Sequence, residues 1–294
     1  MAVIKRRKIN NKHYYYLEHR YKVGNKVKGI SKYLGRTKPD NIDKLIKDIE
    51  IKVMQDKWKS QLIKIKKNYA KELKNLPKKT KKQFLDSFKI EFIYDSNKIE
   101  GSSLSYRDTA DLFLYGITPK NKPINDVRET EGYELAFREM MNLKNLTLRN
   151  ICNLHSLIFK QSQSDIAGKI RLHKIMVTGS RVSFPHPENL DELLRDFIKW
   201  YNKNKDNYNP VEFAALVHLK FVTIHAFTDG NGRISRLLVN FVLFHGNYPM
   251  LNIPYKTRKA YYRSLETSQL WENEKHFLRF FVKLFISKNK NYLA

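Results

Sequence analysis

The sequence predicts a mainly α protein. A helical bundle carries one short β-hairpin and is preceded by a small β-meander and a helical linker. Three observations support this. Apolar residues recur at helical spacing from Asp40 almost to the C-terminus, and helix formers dominate between Asp40 and Lys160. Aromatic and β-branched runs are confined to residues 1–38 and 169–187. Long Gly- or Pro-rich tracts are absent.

The elements follow in order. "HYYYLEHRYKV" and "KVKGISKYLG" flank Gly24-Asn25, so residues 1–38 form a meander of short strands. Asp40 or Asn41 caps a helix after Pro39. Ile42, Leu45, Ile46, Ile49 and Val53, then Leu62, Ile65, Tyr69 and Leu73, carry its apolar face to Pro77. Residues 39–80 are therefore a linker, either one long helix or a helical pair, and one able to contact a second copy of the chain. Phe84, Phe88 and Phe92 fall on one face of the next helix, which runs to about Ile99. Further helices are expected around 106–114, 126–141, 148–161, 189–202, 210–225, 231–244, 257–265 and 274–287. The stretch at 169–187 turns at Gly179 and ends at prolines, the pattern of a hairpin projecting from the helical body. Residues 81–290 form the main domain.

With 41% hydrophobic residues, the 294-residue chain has enough apolar material for a packed core. The single cysteine, Cys152, excludes an internal disulfide and a Cys-rich metal site. The basic N-terminus lacks the apolar stretch of a signal peptide, and no apolar run reaches about 18 residues. A cytoplasmic protein that does not engage membranes is the expectation. The formal charge of +27 favours acidic partners, although Lys is spread along the whole chain as on solvated faces.

"IHAFTDGNGRISRLL" (224–238) carries the chemistry. An apolar helix ends at His225. A turn holding Asp229, Gly230, Asn231 and Gly232 follows, and Arg233 and Arg236 open a new helix. Two glycines at a helix N-terminus let backbone N–H groups approach an anion, and the helix dipole favours it. The two arginines add bidentate donors. Asp229 beside bound phosphate oxygens is a Mg²⁺ ligand set. His225, four residues before it, is suited to take a proton from an attacking hydroxyl. One loop thus holds the parts of phosphoryl or nucleotidyl transfer. His218 and His225 are seven apart on one helix face, but no HExxH, cysteine or clear third ligand supports zinc, and His218 reads as a core histidine.

From His225 to Arg236 the stretch resembles the signature HxFx(D/E)GNGRxxR of the Fic family, with Ala226 where relatives often have proline. "SNKIEG" (96–101) resembles that family's inhibitory motif, on a helix of about 84–101. "AGKIR…VTGSRVSFPHP" (167–187) resembles its target-holding flap, and "NYPMLNI…RKAYYRSL" (247–265) the segment bordering the nucleotide. The resemblance covers roughly 84–290. It implies a Fic fold and a protein adenylyltransferase that uses ATP and Mg²⁺ to transfer AMP to a Ser, Thr or Tyr hydroxyl of a target protein, or of itself. On this basis His225 is the base and Asp229 the Mg²⁺ ligand. Gly230, Asn231 and Gly232 line the anion hole, with the Asn231 side chain near the α-phosphate, and Arg233 and Arg236 neutralise the phosphate tail. Tyr261 and Tyr262 wall the nucleoside, and Gln269 stands where relatives often have Asn near the base. Val177, Thr178, Gly179 and Ser180 hold the target backbone. Ser96, Glu100 and Gly101 form the inhibitory element, in which Glu100 pairs with Arg236. The same glutamate supports AMP removal in some relatives.

Two other functions are compatible with the sequence. Some relatives transfer phosphate or phosphocholine. The basic N-terminal segment also admits a nucleic-acid reader, with Tyr14, Tyr15 and Tyr16 stacking on bases beside Lys5, Arg6, Arg7 and Lys8. The favoured alternative has these tyrosines filling the small sheet's core.

Overall fold

A computed structural model describes residues 2–176 and 179–294. Among these the chain is mainly helical, with one three-stranded antiparallel sheet in the order β1 (Val3–Ile9), β2 (Lys12–Val23), β3 (Lys26–Gly35). Ten α-helices follow: α1 (Ile42–Asn75), α2 (Lys78–Ile99), α3 (Tyr106–Tyr115), α4 (Ile124–Asn142), α5 (Leu148–Phe159), α6 (Leu190–Asn204), α7 (Pro210–Ile224), α8 (Asn231–His245), α9 (Arg258–Leu270) and α10 (Lys275–Lys288). The chain divides into two compact units, Met1–Ile65 with Leu293, and Lys66–Tyr292 with Ala294. None of the described helices is long and apolar enough to cross a membrane.

In the first unit one face of the sheet lies on the start of α1. Leu17 and Tyr21 pack against Ile49 and Val53, with Ile4, Val23 and Ile30 around them. The Tyr21 hydroxyl donates to Asp56 Oδ2 at 2.5 Å. The linker is a single helix through Asn75 and ends before Pro77. Tyr15 shares the parity of Leu17, but Tyr14 and Tyr16 depart from the expected core filling. Side chains alternate along a strand, so Tyr14 and Tyr16 fall opposite Leu17, on the face turned away from α1. There they meet Tyr33, with ring centroids 6.1 and 5.4 Å apart.

The second unit is built around α7, whose side chains are buried almost all round. A helix apolar on every side belongs in the middle of a bundle. The adjacent α8 buries a similar run from Asn231 to Leu243. Asn240 anchors the chain beyond α8, accepting from Leu251 N–H at 2.8 Å and donating to Leu251 C=O at 3.1 Å. Asp95 fixes α2 to the segment before α9 by accepting from Asn252 Nδ2 (2.5 Å) and Tyr255 N–H (2.8 Å).

The segment at 169–187 differs from the expected hairpin, since its described residues form no strand. A guanidinium replaces the ladder. Arg171, 2% exposed, donates to the carbonyls of His173 (2.7 Å) and Pro185 (2.8 Å), clipping the two arms together.

Candidate active site

His225 caps α7 in the left-handed conformation (φ 52°), which turns the chain out of the helix. Its carbonyl accepts Arg171 Nε–H at 2.8 Å, and the Ala226 carbonyl accepts Arg171 N–H at 3.0 Å. The 169–187 segment and the 225–232 loop are thereby one braced piece. The imidazole lies against the Phe184 ring, with centroids 4.2 Å apart. Its Nδ1 is 3.2 Å from the Val222 carbonyl, which can only accept, so Nδ1 carries the proton and Nε2 keeps its lone pair. Burial lowers the His225 pKa from 6.5 to about 4.

The loop closes on itself. The Asn231 amide accepts from Phe227 N–H (2.9 Å) and donates to Phe227 C=O (2.7 Å). Both polar ends of that side chain are thus engaged in shaping the turn, while Asn231 also lines the site's main cavity. Gly230 sits at φ 75°, and a Cβ there would run into the Phe159 ring, 2.8 Å from Cζ. Its N–H is turned to its neighbour, donating to Asp229 Oδ1 at 2.5 Å. The N–H groups that open α8 remain as the anion cradle, because first-turn donors have no partner within a helix. A Cβ on Gly232 would overlap Glu100 Oε1, so the Glu100 carboxylate lies directly over that cradle.

The two arginines have separate duties. Arg233, 3% exposed, pairs with Glu129 of α4 and with Asp229 Oδ2 (3.1 Å), and lies over the Phe159 ring at 4.5 Å. Arg236, 2% exposed, donates Nε–H to Ser96 Oγ (2.6 Å) and Nη2–H to the Ser96 carbonyl (3.1 Å) and Glu100 Oε1 (2.6 Å). Its Nη1 is 3.4 Å from the Tyr261 hydroxyl. Burial, the largest single influence, would lower the Arg236 pKa, but the facing Glu100 charge together with Tyr261 and Tyr133 raises it above its ordinary value. Ser96 and Glu100 are four apart on the last turn of α2, so one helix end presents both to one guanidinium. Gly101, next in chain, takes φ 100° and turns the backbone away. The Tyr133 hydroxyl extends this network, bonding Ser96 Oγ (2.9 Å) and donating to the Arg233 carbonyl (3.0 Å).

A cavity of about 510 Å³ opens on this site. It is lined by His225, Gly230, Asn231, Gly232, Arg236, Glu100, Tyr261, Tyr262 and Gln269, and on the flap side by Gly179 and Ser180. Val177 and Thr178, the other two expected flap residues, lie outside the described residues. Arg181 ties the 169–187 segment to α9, its N–H donating to Glu266 Oε1 at 3.1 Å. Tyr261 is buried, with its hydroxyl between Arg236 and His218 Nε2 (2.9 Å). Tyr262 is half exposed and donates to the Ile99 carbonyl (3.2 Å), while Gln269 donates to Thr223 Oγ1 (3.1 Å). Asp229 and Arg233 face a smaller cleft of about 140 Å³ with Asn97, Asp126 and Glu129, and Glu100 lines both spaces.

Three supporting residues carried no signal strong enough to assign. Arg171 was visible only as the last letter of "AGKIR". Glu129 and His155 had no local cue, because their partners lie far along the chain. His155 accepts Gly168 N–H at Nδ1 (2.9 Å) and so donates from Nε2 to the Asp229 carbonyl (3.0 Å), holding the loop from behind.

Residues 145–243, which span α5 to α8 and the whole loop, match the Fic/DOC family. The chain carries a Fic/DOC family domain. Similar proteins include the protein adenylyltransferase fic-1 of Caenorhabditis elegans, 30% identical over 199 residues covering 65% of this chain and 39% of the relative. Protein adenylyltransferase Fic of Drosophila mojavensis is 33% identical over 182 residues, 60% of this chain and 36% of the relative. The chain therefore spans well under half the length of these curated relatives. Among solved structures, a Fic domain-containing signaling protein from Bacteroides thetaiotaomicron superposes with TM-score 0.70 at 29% identity, over 78% of this chain and 96% of that one. Fic-1 from Caenorhabditis elegans does so with TM-score 0.71 at 25% identity, over 87% and 78%.

Proposed function

We propose that this chain is a protein adenylyltransferase whose catalytic unit spans residues 81–290 and which is held off by Glu100. The observation that carries the reading is the His225 imidazole, neutral with its Nε2 lone pair available, in one cavity with the helix-start cradle of α8 and Arg236. His225 Nε2 takes the proton of a target hydroxyl as its oxygen attacks the α-phosphorus of ATP, and pyrophosphate leaves. The N–H groups of Asn231 and Gly232 receive phosphate oxygens, and Arg236 the end of the triphosphate. Tyr261, Tyr262 and Gln269 border the nucleoside.

Asp229 suits Mg²⁺: its carboxylate is about half exposed and each oxygen accepts only one bond from the protein. When bound with the triphosphate, the ion would neutralise phosphate charge and stabilise the departing pyrophosphate.

Glu100 competes with the nucleotide's phosphates for Arg236 and covers Gly232. Because Glu100 lines both the large cavity and the Asp229 cleft, its withdrawal would join them. Arg236 would keep its bonds to Ser96 and Tyr261, so removing Glu100 does not strand the buried cation. The target is a protein hydroxyl, on another protein or on this one, carried past Gly179 and Ser180.

The test is incubation with α-labelled ATP and Mg²⁺, alone and with cell lysate. Glu100→Gly should raise labelling well above wild type, and adding His225→Ala should remove it while nucleotide binding persists. Equal labelling in Glu100→Gly and wild type would reject the inhibitory role, and full labelling without His225 would reject the base. Mass spectrometry of the product separates AMP from a phosphate or phosphocholine adduct.

A further inference from the structure

We propose that the open face of the N-terminal sheet, with the β1–β2 ribbon, is a docking surface for double-stranded DNA. This surface lies wholly within the first unit and is independent of the proposed catalysis. Cross-strand pairing sets Lys5 opposite Tyr16, Arg7 opposite Tyr14 and Ile9 opposite Lys12. Strand alternation then puts Lys5, Arg7, Lys12, Arg20 and Lys22 on the face turned away from α1, all of them exposed. The acid among them, Glu18, takes both Lys5 (3.1 Å) and Arg7. The surface keeps a net positive charge after that pairing, complementary to a phosphate backbone.

Shape narrows the occupant. Every residue from Lys5 to His13 is exposed, so the end of the hairpin stands clear of the core as a two-stranded ribbon. Asn10 and Asn11 close it with φ 48° and 59°, the paired positive values of a tight hairpin turn. Such a ribbon fits a major groove about 12 Å wide and about 8.5 Å deep. Single strands bind by stacking bases on open aromatic faces. Here the rings of Tyr14 and Tyr16 are already partnered: Arg7 lies over Tyr16 at 4.7 Å, Arg36 lies over Tyr14 at 5.9 Å, and both rings lean on Tyr33, which stays exposed. The tyrosines stiffen the face and offer hydroxyls to phosphates, while the charged side chains flank the groove. A protruding charged ribbon with two of its three outer tyrosines already partnered favours a duplex over a single strand.

The chain's +27 charge makes a control essential. The full chain is titrated against a fluorescein-labelled mixed-sequence duplex of about two helical turns, by anisotropy, between about 50 and 200 mM NaCl. Binding should weaken linearly on a log–log plot. The Lys12→Glu/Arg20→Glu/Lys22→Glu variant should bind about tenfold or more weakly, with a salt slope about three units shallower. Lys144→Glu/Lys203→Glu/Lys205→Glu, the same charge change at exposed positions of the second unit, should alter binding by less than about threefold, because the proposed contact lies wholly within the first unit. Equal losses in the two variants would overturn the proposal. So would a single strand of the same sequence binding as tightly as the duplex, or phosphatidylserine vesicles binding where the duplex does not. If the first variant fails to fold, acetylation of the wild-type chain decides: the duplex should protect Lys12 and Lys22, and unprotected lysines there would reject the surface.

Discussion

His225 can act as a base only while neutral, and the fold keeps it so. Burial is the largest cause of its pKa near 4; the nearby Arg171 charge adds to it, while Glu100 and Asp229 oppose it. In the Glu100→Gly enzyme one opposing charge is gone, so the pKa does not move up toward 6.5. The pH profile of kcat/KM, which reports the free enzyme, should therefore stay flat from about pH 7.5 down to about 5.5. An acid limb centred near 6.5 in that profile would show a solvated imidazole and contradict the buried geometry. At Gly232 the constraint is space, since a Cβ would occupy the position of the Glu100 carboxylate over the cradle. Gly232→Ala in the Glu100→Gly background should cut AMP transfer about 100-fold or more, the scale of losing an oxyanion-type donor site. Labelling within a few-fold of the parent variant would mean that the phosphates bind elsewhere.

At the scale of elements, the site depends on how closely helices approach. Gly132 of α4 faces the backbone of α5, where a Cβ would stand 2.6 Å from the Ile158 carbonyl oxygen and 2.9 Å from its Cα. Backbone cannot swing aside, so Gly132→Ala must push α4 from α5. Overpacking costs about 1–3 kcal/mol, and the better helix propensity of Ala returns at most about 1 kcal/mol. A net loss of about 1 kcal/mol should appear as a lower urea midpoint, and an unchanged or higher midpoint would show that the two helices have slack. The sequence announced the catalytic loop because its parts are consecutive: a helix end, two glycines, an acid and two arginines need no distant partner to be recognised. The pairing of Glu100 with Arg236 was legible through a second local motif. What stayed hidden depends on distant contacts. Nothing around Glu129 says that it meets Arg233, and nothing around Gly132 says that a carbonyl waits opposite. The amide of Asn231 shapes its own loop because Phe227 lies one turn away, a preference that residue type alone does not reveal. In the sheet, Leu17 and Tyr21 take the core side of β2, and their parity then commits Tyr14 and Tyr16 to the outer face. The 169–187 segment has strand composition, yet the Arg171 guanidinium makes the cross-arm bonds a ladder would have made.

For the molecule as a whole, acid should be a specific weakness. His155 is held near pKa 4 and His218 well below 6.5, both chiefly by burial, and His225 joins them at about 4. The geometry of His155 agrees, because Nδ1 accepts the Gly168 N–H and could not do so if protonated. In the unfolded chain each imidazole titrates near 6.5, so between pH 6.5 and about 4 the unfolded state binds more protons than the folded one. Stability is then complete above pH 6.5 and falls as pH drops through that window. Each histidine contributes about 1.4 kcal/mol per pH unit, and the three together about 4 kcal/mol per unit. A chain of formal charge +27 also gains further positive charge as acid is added, and self-repulsion works in the same direction. Urea unfolding followed by far-UV helicity should therefore show a marked fall in midpoint from pH 7.5 to 5.5, while the midpoint between 8.5 and 7.5 changes little. His155→Gln retains a side-chain amide beside Gly168 and Asp229 but cannot titrate, so it should make the acid fall shallower by about one third. A wild-type midpoint that stays level from 7.5 to 5.5 would mean that these imidazoles are hydrated in solution, and the closed packing behind the catalytic loop would have to be abandoned.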